Sequence, residues 1–542
     1  MPALDSVATP TPFPLACRPY GVGHQGEGVC LLVEMGPYRI LLDCGLRDPE
    51  PLFTAQTPPA DLVFCSHAHQ DHTRSLLALA NHFPQLPIYA SEVTAQLLPF
   101  HWQEQSPDLP ELACRPLPWR SPIAFFPDLT AQIFPAGHLP GAAAILLTYT
   151  TPERAYTLLY TGDFFLSNSR LVEGLSLETL RGSAPDVLII EGSYGAARYP
   201  RRRQLEKQFL DQIERGIQNQ TSVVIFAPPL GLAQEIVMLL RSHHQFTGRN
   251  LEIWVGERVA QACDSYLEIL PHLPAAVQNF ARHQPLFWDG EILPKLGRLT
   301  AETVPTAPFI LLTDRFSDWQ QLQRRFAQNW RALIPTTQEE VIIDRQTLSQ
   351  RTNVAVEPYV LPDHSDGRNT TQLIHNIRPQ HIVFVHGTAA AIAALISLEE
   401  LQNRYKLHAP SNGARVELLV GDRFIQPATP LLTTYEGEIT ELDANVHFAL
   451  PSALSNNPNW SSFADTGLIE ARWQGNELVL RGLSQRELLR QSTVERIQTD
   501  LECCRNCEHL RGQTCGNPRS PLCGFPVTLD GYCPAFEPVG GE

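Results

Sequence analysis

Ser66-His67-Ala68-His69-Gln70-Asp71-His72, directly after the apolar run Asp61-Leu62-Val63-Phe64-Cys65, decides how this chain is read. The apolar run predicts a strand, and the segment after it brings three histidines and an aspartate together. If that segment is extended, His67 and His69 point the same way, because side chains alternate with a period of two. Asp71 and His72 then begin a helix that turns back toward a second point. One short segment can therefore feed two neighbouring cations, and imidazole with carboxylate suits zinc-like metals. The bland explanation is a set of surface histidines gathered by chance.

Two more pieces complete a metal pair, and both fall at strand ends. His138 sits in Pro135-Ala136-Gly137-His138-Leu139-Pro140-Gly141, where small residues allow close backbone approach. Asp163 ends Leu158-Leu159-Tyr160-Thr161-Gly162-Asp163, and a carboxylate there can bridge two cations with its two oxygens. Either alone is an ordinary turn histidine or helix cap. Their order after the first motif raises both.

Working outward, VCLLVEM, YRILLDCG, LPIYAS, TAQIFPAGH and AAAILLTYTT read as further short strands up to about Glu191. Leu205, Phe209, Ile213 and Ile217 recur every four residues and predict a helix over 202–218. VVIFAPP, LAQEIVMLLRSH, LEIWVG and FILLTD then alternate as strand, helix and strand, the rhythm of a parallel α/β unit. Strands and metal-type residues return from about 350. LIEARWQGNELVLRGL predicts a hairpin turning at Gln474-Gly475-Asn476.

The series Asp43, His67, His69, Asp71, His72, His138 and Asp163 resembles the metallo-β-lactamase superfamily, an αββα sandwich with two metals at the sheet edges. Glu191 in Ile190-Glu191-Gly192-Ser193-Tyr194-Gly195, His364 in Pro362-Asp363-His364-Ser365-Asp366 and His386 in Val385-His386-Gly387 narrow the resemblance to the β-CASP nucleases. The similarity runs over roughly residues 15–425. It implies an α/β fold, the sandwich with an inserted parallel β-CASP domain, to which the clustered cysteines add a small cysteine-rich C-terminal segment. The expected divisions are 1–195 and 351–430 for the sandwich, 196–350 for the insertion, 431–500 for an accessory segment and 501–542 for the cysteine-rich module.

By the same resemblance His67, His69 and His138 hold a first Zn2+, and Asp71, His72 and His386 a second, with Asp163 bridging. Asp43 orients a ligand, His364 protonates the leaving oxygen, and Glu191 positions its imidazole. The catalytic set is then Asp71, His364, Glu191 and Asp43. A histidine at the last motif accompanies RNA cleavage in this family, so RNA is the expected substrate. Paired divalent ions lower the pKa of a shared water and neutralise the attacked phosphate. A general acid typically contributes about 10²–10⁴-fold.

The chain departs from the family pattern in the loops expected to face nucleic acid. Gly231-Leu232-Ala233-Gln234-Glu235 carries leucine where the family usually has arginine, and Thr313-Asp314-Arg315-Phe316-Ser317 replaces a Ser/Gly-rich loop. Arg198, Arg201, Arg202 and Arg203 can compensate, because arginine forks suit phosphate oxygens. The alternative is a solvated run at a helix start.

Of twelve cysteines, Cys17, Cys30, Cys44, Cys65, Cys114 and Cys263 are scattered and read as small buried hydrophobes. Cys503, Cys504, Cys507, Cys515, Cys523 and Cys533 cluster at the end. Cys504, Cys507, Cys515 and Cys533 are the expected ligands of an additional structural Zn2+, ahead of an iron–sulfur cluster. Cys503 and Cys523 are spares.

At 542 residues, with 43% hydrophobic and 18% charged, the chain has an ordinary globular balance and room for several domains. No apolar run long enough to span a membrane and no secretory signal is apparent, so the expected compartment is the cytoplasm. A net charge of -16 opposes non-specific attraction to RNA. Two other functions compete with ribonuclease. A metallo-hydrolase of small esters or thioesters needs the zinc ligands but not Glu191, His364 or the long insertion. A catalytically weak RNA-binding or scaffold subunit is expected to lack ligands, and none is missing. A homodimer is left open.

Overall fold

The computed structural model describes residues 15–24, 26–102, 112–314, 324, 326, 330–336 and 354–421. It also describes the strand backbones 438–442, 445–449, 469–474 and 477–482, and residues 507–512, 514–519, 523 and 537. Two compact units divide the chain, Met1–Gln426 and Pro427–Glu542.

The first unit opens with β1 (Leu15–Val22), β2 (Val29–Met35), β3 (Tyr38–Leu42), β4 (Leu62–Phe64), β5 (Ile88–Ser91) and β6 (Cys114–Leu117). Next come β7 (Ile123–Phe126), β8 (Leu129–Pro135), β9 (Ala143–Thr150), β10 (Ala155–Tyr160) and β11 (Val187–Glu191). The insertion supplies β12 (Ser222–Phe226), β13 (Glu252–Val255), β14 (Lys295–Arg298), β15 (Ile310–Thr313), β16 (Trp330–Pro335) and β17 (Ala355–Tyr359). The chain then returns with β18 (His381–Val385), β19 (Lys406–His408) and β20 (Val416–Glu417).

These strands form two 7-stranded sheets, β20-β1-β2-β3-β4-β5-β6 and β19-β18-β11-β10-β9-β8-β7, and a 6-stranded sheet, β14-β13-β15-β12-β16-β17. Alternation builds the sandwich. Leu31, Val33, Leu42 and Phe64 of one sheet share a buried core with Ile133, Ile145, Leu158, Ile189 and Val383 of the other. Their neighbours Leu32, Leu41, Val63, Leu188, Ile190 and Phe384 point outward into a second core. Each fully buried side chain of this size contributes roughly 1.5–3 kcal/mol.

Every pairing in the 6-stranded sheet is parallel. Parallel strands need crossovers, and helices such as Leu232–Ser242 and Glu257–Glu268 supply them. The helix Arg202–Gln218 spans the range that its stripe predicts and buries Leu205, Phe209 and Ile213. β17 pairs with β16, so the inserted sheet extends beyond 350, the end expected for it. Its Pro358 is tolerated because β17 is an edge strand. β1 carries Pro19 and a register shift between Pro19 and Gly21, which break its regular alternation.

In the second unit Glu438–Leu442 pairs with Asn445–Ala449, and Ile469–Gln474 pairs with Glu477–Gly482 across the expected turn. Cys507 and Cys515 are buried, with Cys515 in a short strand pair, and Cys523 is exposed. Cys503, Cys504 and Cys533 lie outside the described residues. Among the described residues no helix is long and apolar enough to cross a membrane.

Candidate metal centre

Strand direction gathers the site. β3 and β4 run parallel in one sheet. β8, β10, β11 and β18 run one way in the other, since two antiparallel pairings carry β8 through β9 to β10 and parallel ones continue to β18. The residues after these strands are Asp43, Ser66–His72, His138, Asp163 and His386, with Glu191 closing β11. One chain order thus delivers several donors to one edge. Gly45 keeps the loops close, since a Cβ there would lie 1.6 Å from the Asp71 carbonyl oxygen.

His67, His69, His138 and Asp163 offer donor atoms all within 4.8 Å of one another, and Asp71, His72 and His386 form a second such group. Asp163 joins them. Its Oδ2 lies 3.4 Å from His67 Nε2 and 3.8 Å from His138 Nε2, while its Oδ1 lies 3.3 Å from His72 Nε2 and 3.8 Å from His386 Nδ1.

The outer nitrogen of each imidazole is held by an acceptor. His67 Nδ1 donates to Ser66 Oγ (3.0 Å), His69 Nε2 to the Leu230 carbonyl (3.1 Å) and His72 Nδ1 to Asp43 Oδ2 (2.7 Å). His138 Nδ1 donates to the Asp363 carbonyl (2.9 Å) and His386 Nδ1 to Ser193 Oγ (2.7 Å). Such partners fix the tautomer and turn the other nitrogen's lone pair inward. Asp43, with φ 59°, also accepts from Ser66 N and Oγ and from Tyr160 OH.

With the outer protons committed, neutral imidazoles leave His69 Nδ1 and His138 Nε2 as acceptors facing each other at 3.0 Å. His386 Nε2 stands 2.9 Å from Asp71 Oδ2; burial opposes its charged form, but the Asp163 and Asp71 carboxylates prevail and raise its pKa. His67 Nε2, His72 Nε2 and Asp163 Oδ1 are buried without a hydrogen-bond partner. Burying such atoms unsatisfied is costly, and crowding them together is favourable only around positive charge. The donor set fits cations. Burial, with neighbouring imidazoles, holds the His67 imidazole well below its ordinary pKa and His138 down to about 3, which keeps their lone pairs available.

Beside the cluster, His364 Nδ1 donates to Glu191 Oε2 at 2.7 Å and lies 3.9 Å from Asp163 Oδ2. Burial disfavours its charged form, but the Glu191 and Asp363 carboxylates prevail and push its pKa up to about 10. Glu191 is itself held by Phe164 N (2.6 Å) and the Ser193 hydroxyl. Ser193 therefore links Glu191 to His386.

The insertion reaches the same place. Leu230 orients His69, and Gly231, at φ 101°, starts the helix Leu232–Ser242. Leu232 and Gly231 line a small cavity with His69, His138 and Asp363. Glu235 accepts from Ser169 Oγ, Arg170 N, Leu171 N and Arg202, so the turn is braced even with leucine at 232. Asp314 is paired with Arg258 at 3.1 Å, which offsets the charge that the sequence places in that loop.

A family model described as Beta-lactamase superfamily domain matches residues 38–203. An uncharacterized protein of Synechocystis sp. is 50% identical over 539 residues, 97% of this chain and 97% of its own. The probable RNase MJ4 of Methanocaldococcus jannaschii is 28% identical over 235 residues, 40% of this chain and 54% of that one. Ribonuclease TTHA0252 of Thermus thermophilus is 28% identical over 247 residues, 42% of this chain and 54% of that one. The chain belongs to the metallo-β-lactamase superfamily, in its β-CASP family. It spans about half the length of the last two relatives. As a β-CASP protein it is a metal-dependent hydrolase, and the imidazoles and carboxylates described above are groups that could hold the metal.

The candidate donors stand out in the sequence, but the groups that support them do not. Tyr160 and Ser66 on Asp43, Ser193 on His386, and the carbonyls of Leu230 and Asp363 are such groups. A tyrosine buried three residues before Asp163 needs a partner, which is a legible signal. A backbone carbonyl has none. His101, outside the candidate donor set, is buried and donates to the Ala68 carbonyl at 2.6 Å.

Proposed function

We propose that this protein is a two-zinc ribonuclease that cleaves RNA phosphodiester bonds with His364 as general acid. The observation that carries the reading is the Glu191–His364 pair beside Asp163. Hydrolysis of an ester with a good leaving group needs no such acid, whereas a ribose alkoxide leaves poorly unless protonated. The names of the β-CASP relatives that denote ribonucleases support the substrate class.

His67, His69 and His138 would hold one cation and Asp71, His72 and His386 the other, and Asp163 stands between the two groups. Bound there, two divalent ions supply a lowered water pKa and neutralise charge on the phosphate. Asp43 keeps His72 in the tautomer that presents Nε2, and Ser193 does the same for His386. His364 commits Nδ1–H to Glu191 and keeps a second proton on Nε2, which it gives to the leaving oxygen. Glu191 stabilises the imidazolium before transfer and fixes the ring.

Incubating zinc-loaded protein with end-labelled RNA, end-labelled DNA and a nitrophenyl ester tests this. Cleavage of RNA that stops with a chelator and returns with zinc is the expected outcome. Hydrolysis of the ester alone, or binding of RNA with no cleavage, would replace the ribonuclease reading.

A further inference from the structure

Four guanidinium groups crowd one pocket of a chain whose net charge is -16. Arg170, Arg201, Arg202 and Arg203 line an open pocket of roughly 510 Å³. Ser169 and Arg202 belong both to it and to the small cavity that reaches His69, His138 and Asp363. Arg202 also donates to the Pro362 carbonyl at 3.0 Å, one residue before Asp363-His364. The pocket and the small cavity beside the candidate metal centre therefore share a wall.

Internal pairing leaves positive charge over. Glu206 accepts from Arg170 and from Arg202, each at 3.1 Å, and Glu235 lies 3.3 Å from Arg202. Arg201 and Arg203 are exposed and engage in no ion pair among the described residues. Arg170 Nε is buried without a hydrogen-bond partner. Local pairing accounts for Arg170 and Arg202 but not for Arg201 and Arg203. Arg201, Arg202 and Arg203 start the helix Arg202–Gln218, whose first turn has no acidic residue and no side-chain cap. Cations there oppose the helix dipole and the exposed backbone N–H groups, both of which favour an anion.

We propose that Arg170, Arg201, Arg202 and Arg203 form a subsite for a phosphate group of the RNA strand outside the scissile bond. Guanidinium forks bind phosphate oxygens bidentately and would hold the strand in register with His364. This assignment rests on the ribonuclease reading above.

The test compares wild type with R201Q/R203Q and R201K/R203K, all checked for unchanged melting temperature. The readouts are KM and kcat on a short single-stranded RNA, the salt dependence of RNA binding, and hydrolysis of bis(p-nitrophenyl) phosphate. Two lost contacts lower the logarithmic salt slope by about 1.4 and raise KM for RNA about tenfold, with kcat nearly constant. The lysine variant recovers the slope. The ratio of kcat/KM for RNA over that for the small diester falls with the glutamine variant. An equal loss with 5′-hydroxyl and 5′-phosphate RNA assigns the pocket to an internal diester, and a loss confined to phosphorylated RNA assigns it to the strand end; both support the subsite. Wild type that cleaves RNA while R201Q/R203Q matches it in KM and slope overturns the subsite alone. A loss in kcat shared equally by the small diester also overturns it. Wild type that leaves RNA intact overturns the ribonuclease reading, and the subsite with it.

Discussion

His69 donates its Nε2 proton to the carbonyl of Leu230 at 3.1 Å, so a turn of the inserted sheet orients a histidine of the metal centre. The next residue, Gly231, has φ 101°, and a Cβ there would lie 3.0 Å from Leu139 and 3.7 Å from His69 Nε2. Gly231→Ala should therefore strain the turn by about 1–3 kcal/mol. It should also loosen His69, lowering affinity at the first cation position about 10–100-fold. Competition with a chromogenic chelator measures this, and an unchanged affinity would mean that His69 needs no support from the insertion.

Asp43 is the hub of the other half. It accepts from His72, from Tyr160 and twice from Ser66. Asp43→Asn keeps the shape and tolerates the positive φ, but its amide nitrogen cannot accept. Affinity at the second cation position should fall about 10–100-fold while the first is affected less. Titration calorimetry with zinc should then show one tight and one weak event.

Glu191→Gln should leave His364 a hydrogen-bond acceptor but not the charge that stabilises its imidazolium. We expect both cations to stay bound and kcat to fall about 100-fold. Loss of metal in this variant would instead make Glu191 part of the cation site.

A separate histidine pair predicts how stability changes with pH. His408 Nε2 lies 2.9 Å from His381 Nδ1, and His381 Nε2 donates to the Leu419 carbonyl at 2.9 Å. Burial, then the adjacent His381, pushes the pKa of His408 down to about 4, and burial lowers that of His381. The unfolded chain takes up protons near 6.5 that the fold refuses, so the stabilisation is complete above that pH and fades as pH falls toward about 4. Urea midpoints of wild type should drop more steeply over that window than those of His408→Gln. Parallel curves would contradict the depressed pKa.

The candidate donor set was legible because metal chemistry restricts residue type. Imidazoles and carboxylates at the ends of apolar runs stand out in sequence, and their order matched a β-CASP pattern. Supports were less legible. Ser193 and Tyr160 are common residue types whose roles arise only when β11, β18 and β10 lie side by side. The carbonyl of Leu230 has no identity in sequence at all. β1 carries a proline and a bulge that break regular alternation, and its position is set by pairing with β2 and β20. β17 read as part of the returning sandwich because Asp363 and His364 follow it closely, and only its pairing with β16 places it in the insertion.

Single-turnover cleavage of RNA by His364→Ala, with its zinc content measured on the same sample, bears most directly on the proposed division of labour. The account predicts two zinc ions per chain from the donor set and a rate lower than wild type by about 10²–10⁴-fold. A wild-type rate, or a variant that has lost its zinc, would contradict a general acid standing apart from the cations.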